Sequence, residues 1–379
     1  MAFGRGPLEG LVTVGVEFTT AFSGRRVLLT GHTGFKGAWL SHWLLSLGAE
    51  LTGYALDPDT TPSLFADLAL ERSMDSRIGD IRDTASVAAL VAEVRPEVVF
   101  HLAAQPLVRR SYVEPHYTFE TNVIGTANVL EALRSADACV AFVNVTTDKV
   151  YANPETGEPF TEADPLGGHD PYSASKAASE ILTAAYRDSF FTGPEMPAVA
   201  TARAGNVIGG GDWAEDRLVP DCARALTRHE DIVVRSPDSV RPWQHVLEPL
   251  SGYLHLAAAL IDDRSLAGAY NFGPHPESAR SAGEVVESFV SAWGEGSWRA
   301  PEGGEHPHEA GQLRLDISKA QRVLGWRPVW GFDETITRAA AWYRAYDVGQ
   351  DAATLVSADL SAYTTAALAA EAFGPGDRS

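Results

Sequence analysis

The feature that most constrains this chain is a repeated alternation of short apolar runs with segments of helical period, starting at residue 26. Arg26-Val27-Leu28-Leu29-Thr30 reads as a buried strand, 37–47 as a helix ending near Gly48, and 51–56 as the next strand. A helix follows Asp83, where Val87, Leu90, Val91 and Val94 fall at helical spacing. A strand over 97–104, a long helix over 113–134, a strand over 140–146, a long helix over 172–190 and a strand over 198–202 complete the pattern. Continuous apolar strands alternating with helices predict an α/β fold, a doubly wound parallel sheet covered on both faces. From about Asn206 the pattern loosens into Gly, Pro and Trp clusters, as expected of a smaller C-terminal substrate-binding α/β domain. The expected division is an extension over 1–21, a nucleotide-binding domain over 22–205, a mainly substrate-binding domain over 206–350 with segments returning to the sheet, and a tail over 351–379 with a frayed end.

Composition narrows the function. Fifty acidic against thirty basic residues give a formal charge of −20. Such a surface repels nucleic acid and anionic lipid, so an anionic ligand needs a local basic pocket. Cys139 and Cys222 are the only cysteines, which excludes a disulfide framework and argues against a zinc cage. No stretch approaches the roughly 18 apolar residues of a membrane helix, and the first 24 residues lack the apolar core of a signal peptide. Cytoplasm is the expected compartment, with neither membrane nor nucleic acid as a partner.

Directly after the first strand comes Gly31-His32-Thr33-Gly34-Phe35-Lys36-Gly37, opening a helix. Glycines there allow a tight turn and let backbone amides reach a pyrophosphate at the positive helix end. The spacing is G-x-x-G-x-x-G rather than G-x-G-x-x-G. Asp57 lies twenty residues beyond Gly37, at the end of the second strand. A carboxylate there accepts from ribose hydroxyls and repels a 2′-phosphate, which favours NAD over NADP; the alternative is a turn aspartate before Pro58. Asp80, after a short strand, is placed to receive the adenine amino group. Ile81, Leu102, Ala103, Ala104, Gln105 and Asn122 complete the expected cofactor edge.

Tyr172 and Lys176 are spaced i, i+4 at the start of a helix, so both project on one face. A free tyrosine has a pKa near 10. An ammonium about 4 Å away is worth roughly 4 kcal/mol at an effective dielectric of ~20, or about three pKa units, enough to make the phenol a usable base. The pair therefore completes the expected cofactor contacts and supplies the expected base.

Several long stretches share a resemblance: GHTGFKGAWL from Gly31, HLAAQPLVRRSY from His101, TTDKVY from Thr146, GGHDPYSASKAASE from Gly167, RAGNVIGGGDWAEDR from Arg203, RPWQHVLEPLSGY from Arg241 and HPHEAGQLRLD from His306. They resemble the extended short-chain dehydrogenase/reductases, whose fold is of Rossmann type, and within them the CDP-sugar 4,6-dehydratase branch. The resemblance spans roughly residues 22–343. It implies NAD as cofactor and CDP-glucose or a related nucleotide sugar as substrate. It also implies a homodimer or dimer of dimers through the helices at 113–134 and 172–190; on the second, Ala177, Ile181, Ala184 and Ala185 are candidate contacts, with packing inside the subunit as the alternative.

Thr147-Asp148-Lys149 closes the fifth strand, where a substrate would sit over the nicotinamide. A plain oxidoreductase or epimerase needs only a hydroxyl there; an added acid and amine suggest a second chemical task. Oxidising carbon 4 of a hexose to a ketone makes the carbon 5 hydrogen acidic, and loss of the 6-hydroxyl becomes a β-elimination. Hydride return to carbon 6 then gives a 4-keto-6-deoxy sugar. By the family pattern Asp148 protonates the departing hydroxyl and Lys149 takes the carbon 5 proton. Free aspartate and lysine differ by about 6.5 pKa units, so acid beside neutral amine lies ~9 kcal/mol above the ion pair, and the site must narrow that gap or share the roles with water.

For the substrate, Gln105, Arg109, Asn206, Arg217 and the backbone at Leu218-Val219 are candidates, with Arg235 and Arg241 as the best diphosphate clamps because guanidinium forks match phosphate oxygens. Arg217 and Arg235 have an ordinary surface role as the alternative. Trp213, Trp243 and Trp326 are expected in the core. His306, His308 and Glu309 lack helical ligand spacing, so no metal is expected; His308 and Glu309 are instead candidates for the nucleotide or ribose. The rival functions are a nucleotide-sugar 4-epimerase, which has no use for Asp148-Lys149, a dehydratase of another nucleotide sugar, and a non-catalytic NAD-binding regulator, which has no use for the Tyr-Lys pair.

Overall fold

The computed structural model describes residues 20–301 and 313–372. Seven strands form one all-parallel sheet. In chain order the elements of its first half are β1 (Arg26–Thr30), helix α1 (Phe35–Ser46), β2 (Glu50–Ala55), β3 (Asp75–Ile78), α2 (Thr84–Val94), β4 (Val98–His101), α3 (Val108–Val113), α4 (Thr126–Leu133) and β5 (Ala141–Val145). Helix α5 (Pro171–Phe190), β6 (Ala198–Ala204), α6 (Leu218–Thr227), α7 (Leu247–Asp262) and β7 (Gly268–Phe272) follow. The sheet order is β7-β6-β5-β4-β1-β2-β3. The strands of the middle are buried end to end because helices cover both faces, which is why they read as unbroken apolar runs. The order reverses between β1 and β4, and the crevice at that switch point, at the carboxyl ends of the strands, is where an α/β sheet binds its ligand.

The expected helix over 113–134 is not one helix. The chain turns helical at Val108, five residues early, and α3 stops at Val113. Pro115 opens a short helix, Pro115–Phe119, and Glu114 before it is forced out of helical geometry at φ −126°, ψ 60°. Proline has no N–H to donate and crowds the residue preceding it. A π-helical segment, Glu120–Gly125, follows before α4. The strand expected over 97–104 ends at His101, because β1, its pairing partner, ends at Thr30.

Beyond β6 the chain makes two-stranded pairs, Val207–Ile208 with Gln244–His245 and Val240–Pro242 with Ala279–Ser281, while β7 returns to the large sheet beside β6. Helices α8 (Ala282–Trp293), α9 (Ser318–Leu324) and α10 (Phe332–Asp347) complete this half. Trp243 and Trp326 are buried and Trp213 is packed on the same core. Phe22, at the edge of the expected extension, is fully buried against Phe100.

The tail is likewise part of the body. Residues Ala352–Ala369 form helix α11, capped by Asp351, whose side chain accepts from Thr354 N. Val356, Tyr363 and Ala367 have no exposed surface. Tyr363 donates from its hydroxyl to Glu248 at 2.9 Å and lies 2.9 Å from the Ser251 hydroxyl, on which the Trp326 indole also converges at 2.8 Å. Glu248 meanwhile accepts from the backbone N–H groups of Val329 and Trp330.

Burial pushes the Glu248 carboxyl up from 4.5 to about 7. The folded state then holds a proton the unfolded chain has released, so this group's contribution to stability is fully present below about pH 4.5. It declines as pH rises through about 7. Glu248→Gln is neutral throughout. Its thermal midpoint is expected to fall less between pH 5 and about 8 than that of the native chain, which differential scanning calorimetry will read.

No helix among the described residues is long and apolar enough to cross a membrane.

Candidate active site

The turn from β1 to α1 is built by its glycines. Gly31 sits at φ 79°, and a Cβ there would come within 2.7 Å of the Ala103 backbone nitrogen; one on Gly37 would strike the Gly31 carbonyl oxygen at 2.1 Å. Only glycine lets the first turn of α1 fold over its own loop and against the end of β4. The N-terminus of α1 carries no side-chain cap and no acid in its first turn. Its amides therefore present uncompensated positive ends at the switch point, which suits a pyrophosphate. Thr33 donates from its hydroxyl to the Leu56 carbonyl at 2.8 Å, tying the loop to the end of β2, where Asp57 is exposed to solvent. Phe35 and Lys36 begin the helix.

The remaining expected cofactor residues divide into open and committed groups. Leu102, Ala103 and Ala104 are half-buried along the crevice. Ile81 is buried. Asp80 is gripped by the Arg82 guanidinium at 2.6 Å, which holds its carboxyl below the usual range. Gln105 and Asn122 are buried and use their side chains internally. The Asn122 amide accepts from Gln105 N at 2.8 Å and donates to Gln105 O and Ser175 Oγ, while Gln105 donates to Thr118 and accepts from Leu107 N. These bonds lock the end of β4 to the π-helical segment and to α5.

Helix α5 carries the reactive pair. Asp170 caps it by accepting from Ser173 N, Pro171 occupies its first turn, and Tyr172 N donates to Ser111 Oγ at 3.1 Å. Tyr172 and Lys176 are buried on one face, with the Thr147 side chain near enough to the Tyr172 phenol to oppose the rise of its pKa. Lys176, however, donates to the Val145 carbonyl at 3.0 Å. Burial pushes the Tyr172 phenol up to about 12 and the Lys176 ammonium down to about 8. Desolvation dominates the Tyr172 phenol, with the Asp148 charge adding to the rise and Thr147 and the positive charge of Arg217 opposing it. One turn further, buried Glu180 accepts from Thr146 Oγ1 at 2.5 Å and Thr201 Oγ1 at 2.7 Å and pairs with buried Arg203 at 2.8 Å. That network fixes the end of β5, from which Thr147, Asp148 and Lys149 project.

Asp148 has no exposed surface. Its Oδ1 accepts from Thr147 Oγ1 at 2.9 Å and from Lys149 Nζ at 3.4 Å, and its buried Oδ2 has no hydrogen-bond partner. Lys149 also donates to Asn206 Oδ1 at 3.4 Å. Facing them is Lys36, whose Nζ donates to the Tyr253 hydroxyl at 3.4 Å. Burial, with repulsion from Arg217, Lys176 and Lys149, pushes Lys36 down to about 7. Four cations thus converge on one cleft of a chain whose net charge is −20, the local basic pocket that an anionic ligand requires.

Arg217 caps the entry to α6 and pairs with Asp212 at 2.8 Å, with Leu218 and buried Val219 beginning the helix. Arg109 and Arg235 both reach Asp216, at 3.3 and 2.5 Å. Arg241 is buried and donates to the Val240 carbonyl. His308 and Glu309 lie outside the described residues. Among the described residues no cluster of three His, Cys, Asp or Glu side chains is arranged to hold a metal. Sequence reasoning missed Asp216 and Tyr253. The acid run through Asp212, Glu215 and Asp216 was the only available signal for the first, and nothing marked the second.

Comparison with known proteins matches this geometry to one family. The model described as GDP-mannose 4,6 dehydratase matches residues 28–339. The chain is similar to the CDP-glucose 4,6-dehydratase of Salmonella typhimurium, with 46% identity over 350 residues, covering 91% of this chain and 98% of that one. It is 31% identical over 340 residues to the dTDP-glucose 4,6-dehydratase of Xanthomonas campestris pv. campestris, covering 83% and 92%. Among solved structures, a dTDP-glucose 4,6-dehydratase from Streptomyces venezuelae with NAD bound superposes at a TM-score of 0.72 and 26% identity, covering 84% of this chain and 96% of that one. A UDP-glucose-4-epimerase from Stenotrophomonas maltophila shares the fold at a TM-score of 0.75 and 23% identity, covering 86% and 100%. The chain therefore belongs to the GDP-mannose 4,6 dehydratase family of extended short-chain dehydrogenase/reductases.

Proposed function

We propose that this protein is an NAD-dependent hydro-lyase that converts CDP-glucose to CDP-4-keto-6-deoxyglucose. The observation that carries the reading is Asp148: a buried carboxylate with one unpaired oxygen, seated between Thr147 and Lys149 beside the Tyr172 phenol. An epimerase needs the phenol and the threonine but not this acid and amine. The similarity to the Salmonella typhimurium enzyme, nearly end to end, supports CDP-glucose over other nucleotide sugars.

The uncapped amides of α1, the glycine turn, Asp57 and the small residues Ala103 and Ala104 fit NAD, which when bound supplies the hydride acceptor for carbon 4 and the donor for carbon 6. The chain's own residues handle the protons. Tyr172 takes the proton of the 4-hydroxyl while Thr147 hydrogen-bonds the same oxygen. Lys176 positions the cofactor ribose and adds positive charge near the phenol. With carbon 4 a ketone, Lys149 first passes a proton to the Asp148 carboxylate it pairs with; the neutral amine then removes the carbon 5 proton while protonated Asp148 gives its proton to the departing 6-hydroxyl, releasing water and restoring the ion pair. Lys36, Asn206, Arg109, Arg217, Arg235 and Arg241 supply charge and hydrogen bonds toward the diphosphate.

The same reading divides the chain into a cofactor half over 22–205 and a mainly substrate-binding half over 206–350. It extends to a homodimer. Val113, Ile124 and Ile181 are 82, 53 and 58% exposed on the two helical stretches expected to meet a second copy; Ala177, by contrast, packs inside the subunit with Val150 and Tyr151. Two buried free thiols, Cys139 and Cys222, are in keeping with a reducing cytoplasm.

Incubation with CDP-, UDP-, dTDP- and GDP-glucose tests the substrate. Loss of one water from the CDP sugar, ahead of the others and without net accumulation of reduced cofactor, supports the reading. Selective turnover of another donor would move the base preference. A slow 4-epimer without mass change would move the chain to the epimerases.

A further inference from the structure

Arg109 and Arg235 come from distant parts of the chain to one carboxylate. Arg109 stands on α3, just past the end of β4, and Arg235 follows the Ile232–Val233 strand of the substrate half. Both donate to the same oxygen, Oδ1 of Asp216. Asp216 holds φ 61°, in the left-handed region that non-glycine residues enter at a cost. Its neighbour Arg217 is already taken by Asp212. One carboxylate thus occupies both guanidinium groups.

We propose that Asp216 is a built-in competitor for the anionic group of the substrate, holding Arg109 and Arg235 together until a nucleoside diphosphate displaces it. The inference rests on the reading of those arginines as diphosphate contacts. The physical case is one of charge and exposure. A carboxylate offers one charge and here shares one oxygen between two cations. A diphosphate offers more charge and enough oxygens for a fork at each guanidinium. The Asp216 side chain is 43% exposed, so it turns out into water with little desolvation. Exposed ion pairs are individually weak, so the carboxylate is a removable stopper rather than a lock. The device offsets the repulsion between the two like charges and raises the threshold that a weakly anionic ligand must meet.

Calorimetric titration of the NAD-loaded full chain with CDP tests this, using Asp216→Asn, Asp216→Ala, Arg109→Ala and Arg235→Ala. Asparagine tolerates positive φ and is nearly isosteric, so Asp216→Asn isolates the charge; its thermal midpoint verifies folding. Two lost surface pairs correspond to CDP binding tighter by about three- to tenfold. Each arginine variant should weaken CDP binding, and Asp216→Asn added to the double arginine variant should gain nothing. The KM for CDP-glucose should fall with kcat nearly unchanged. Unchanged or weaker CDP binding in Asp216→Asn, with both arginine variants weakened, would overturn the competitor role while turnover of CDP-glucose leaves the functional reading standing. If neither arginine variant alters CDP binding, the arginines are not diphosphate contacts and the inference falls with them. If the native chain neither binds CDP nor turns over its glucose ester, both readings fall together.

Discussion

Tyr172→Phe is expected to lower kcat on CDP-glucose by about 10³-fold while CDP affinity stays within about threefold. Positioned proton transfer contributes roughly 10² to 10⁴, and the phenol is a buried hydroxyl beside Thr147 at the end of β5. Phenylalanine preserves the packing of a side chain that is 8% exposed, so the loss is chemical rather than structural. Burial holds the phenol up at about 12 in the ligand-free site. The native rate should therefore climb with pH below the working pKa of the phenol in the complex, and that slope should vanish in the variant. Stopped-flow turnover across a pH series reads both. A variant retaining a tenth of the native kcat would remove Tyr172 from the proton transfer.

Asp148→Asn should stop dehydration with comparable severity, by about 10²- to 10³-fold, yet leave the earlier steps intact. Asparagine keeps an oxygen to accept from Thr147 but has no proton to give the departing 6-hydroxyl. Tyr172 still serves carbon 4 and Lys149 still serves carbon 5. The variant should therefore exchange the carbon 5 hydrogen with deuterated solvent without losing water, whereas Lys149→Met should lose the exchange as well. Mass spectrometry of recovered CDP-glucose distinguishes the two. If Asp148→Asn abolishes exchange and elimination together, the acid does not act at the leaving group alone.

These expectations depend on features unequally legible in the sequence. The sheet and its cofactor turn were readable because a parallel strand covered on both faces leaves an uninterrupted apolar run, and because a turn as tight as Gly31 to Gly37 admits little else. Helix α11 was not readable. Its Ala, Ser and Thr composition gives hardly any polar-apolar contrast, and it is held by Tyr363 reaching Glu248, 115 positions away. The break at Glu114 was signalled by Pro115, a cue outweighed by the long apolar period around it. Side-chain partnerships were the least accessible. That Lys176 faces the Val145 carbonyl, or that Asp216 joins Arg109 across 107 residues, follows from how the strand ends converge and from nothing local. The candidate residues of the site were therefore proposed from their types, spacing and family resemblance, while their mutual geometry waited on the fold.

The most direct test of the central claim follows a label through one turnover. CDP-glucose carrying deuterium at carbon 4 should give a product that has lost one water and carries the deuterium at carbon 6, with no label released to added unlabelled cofactor. That result requires oxidation, elimination and hydride return within one closed site. Deuterium found at carbon 4 of an epimer, or washed out into the cofactor pool without loss of water, would contradict it.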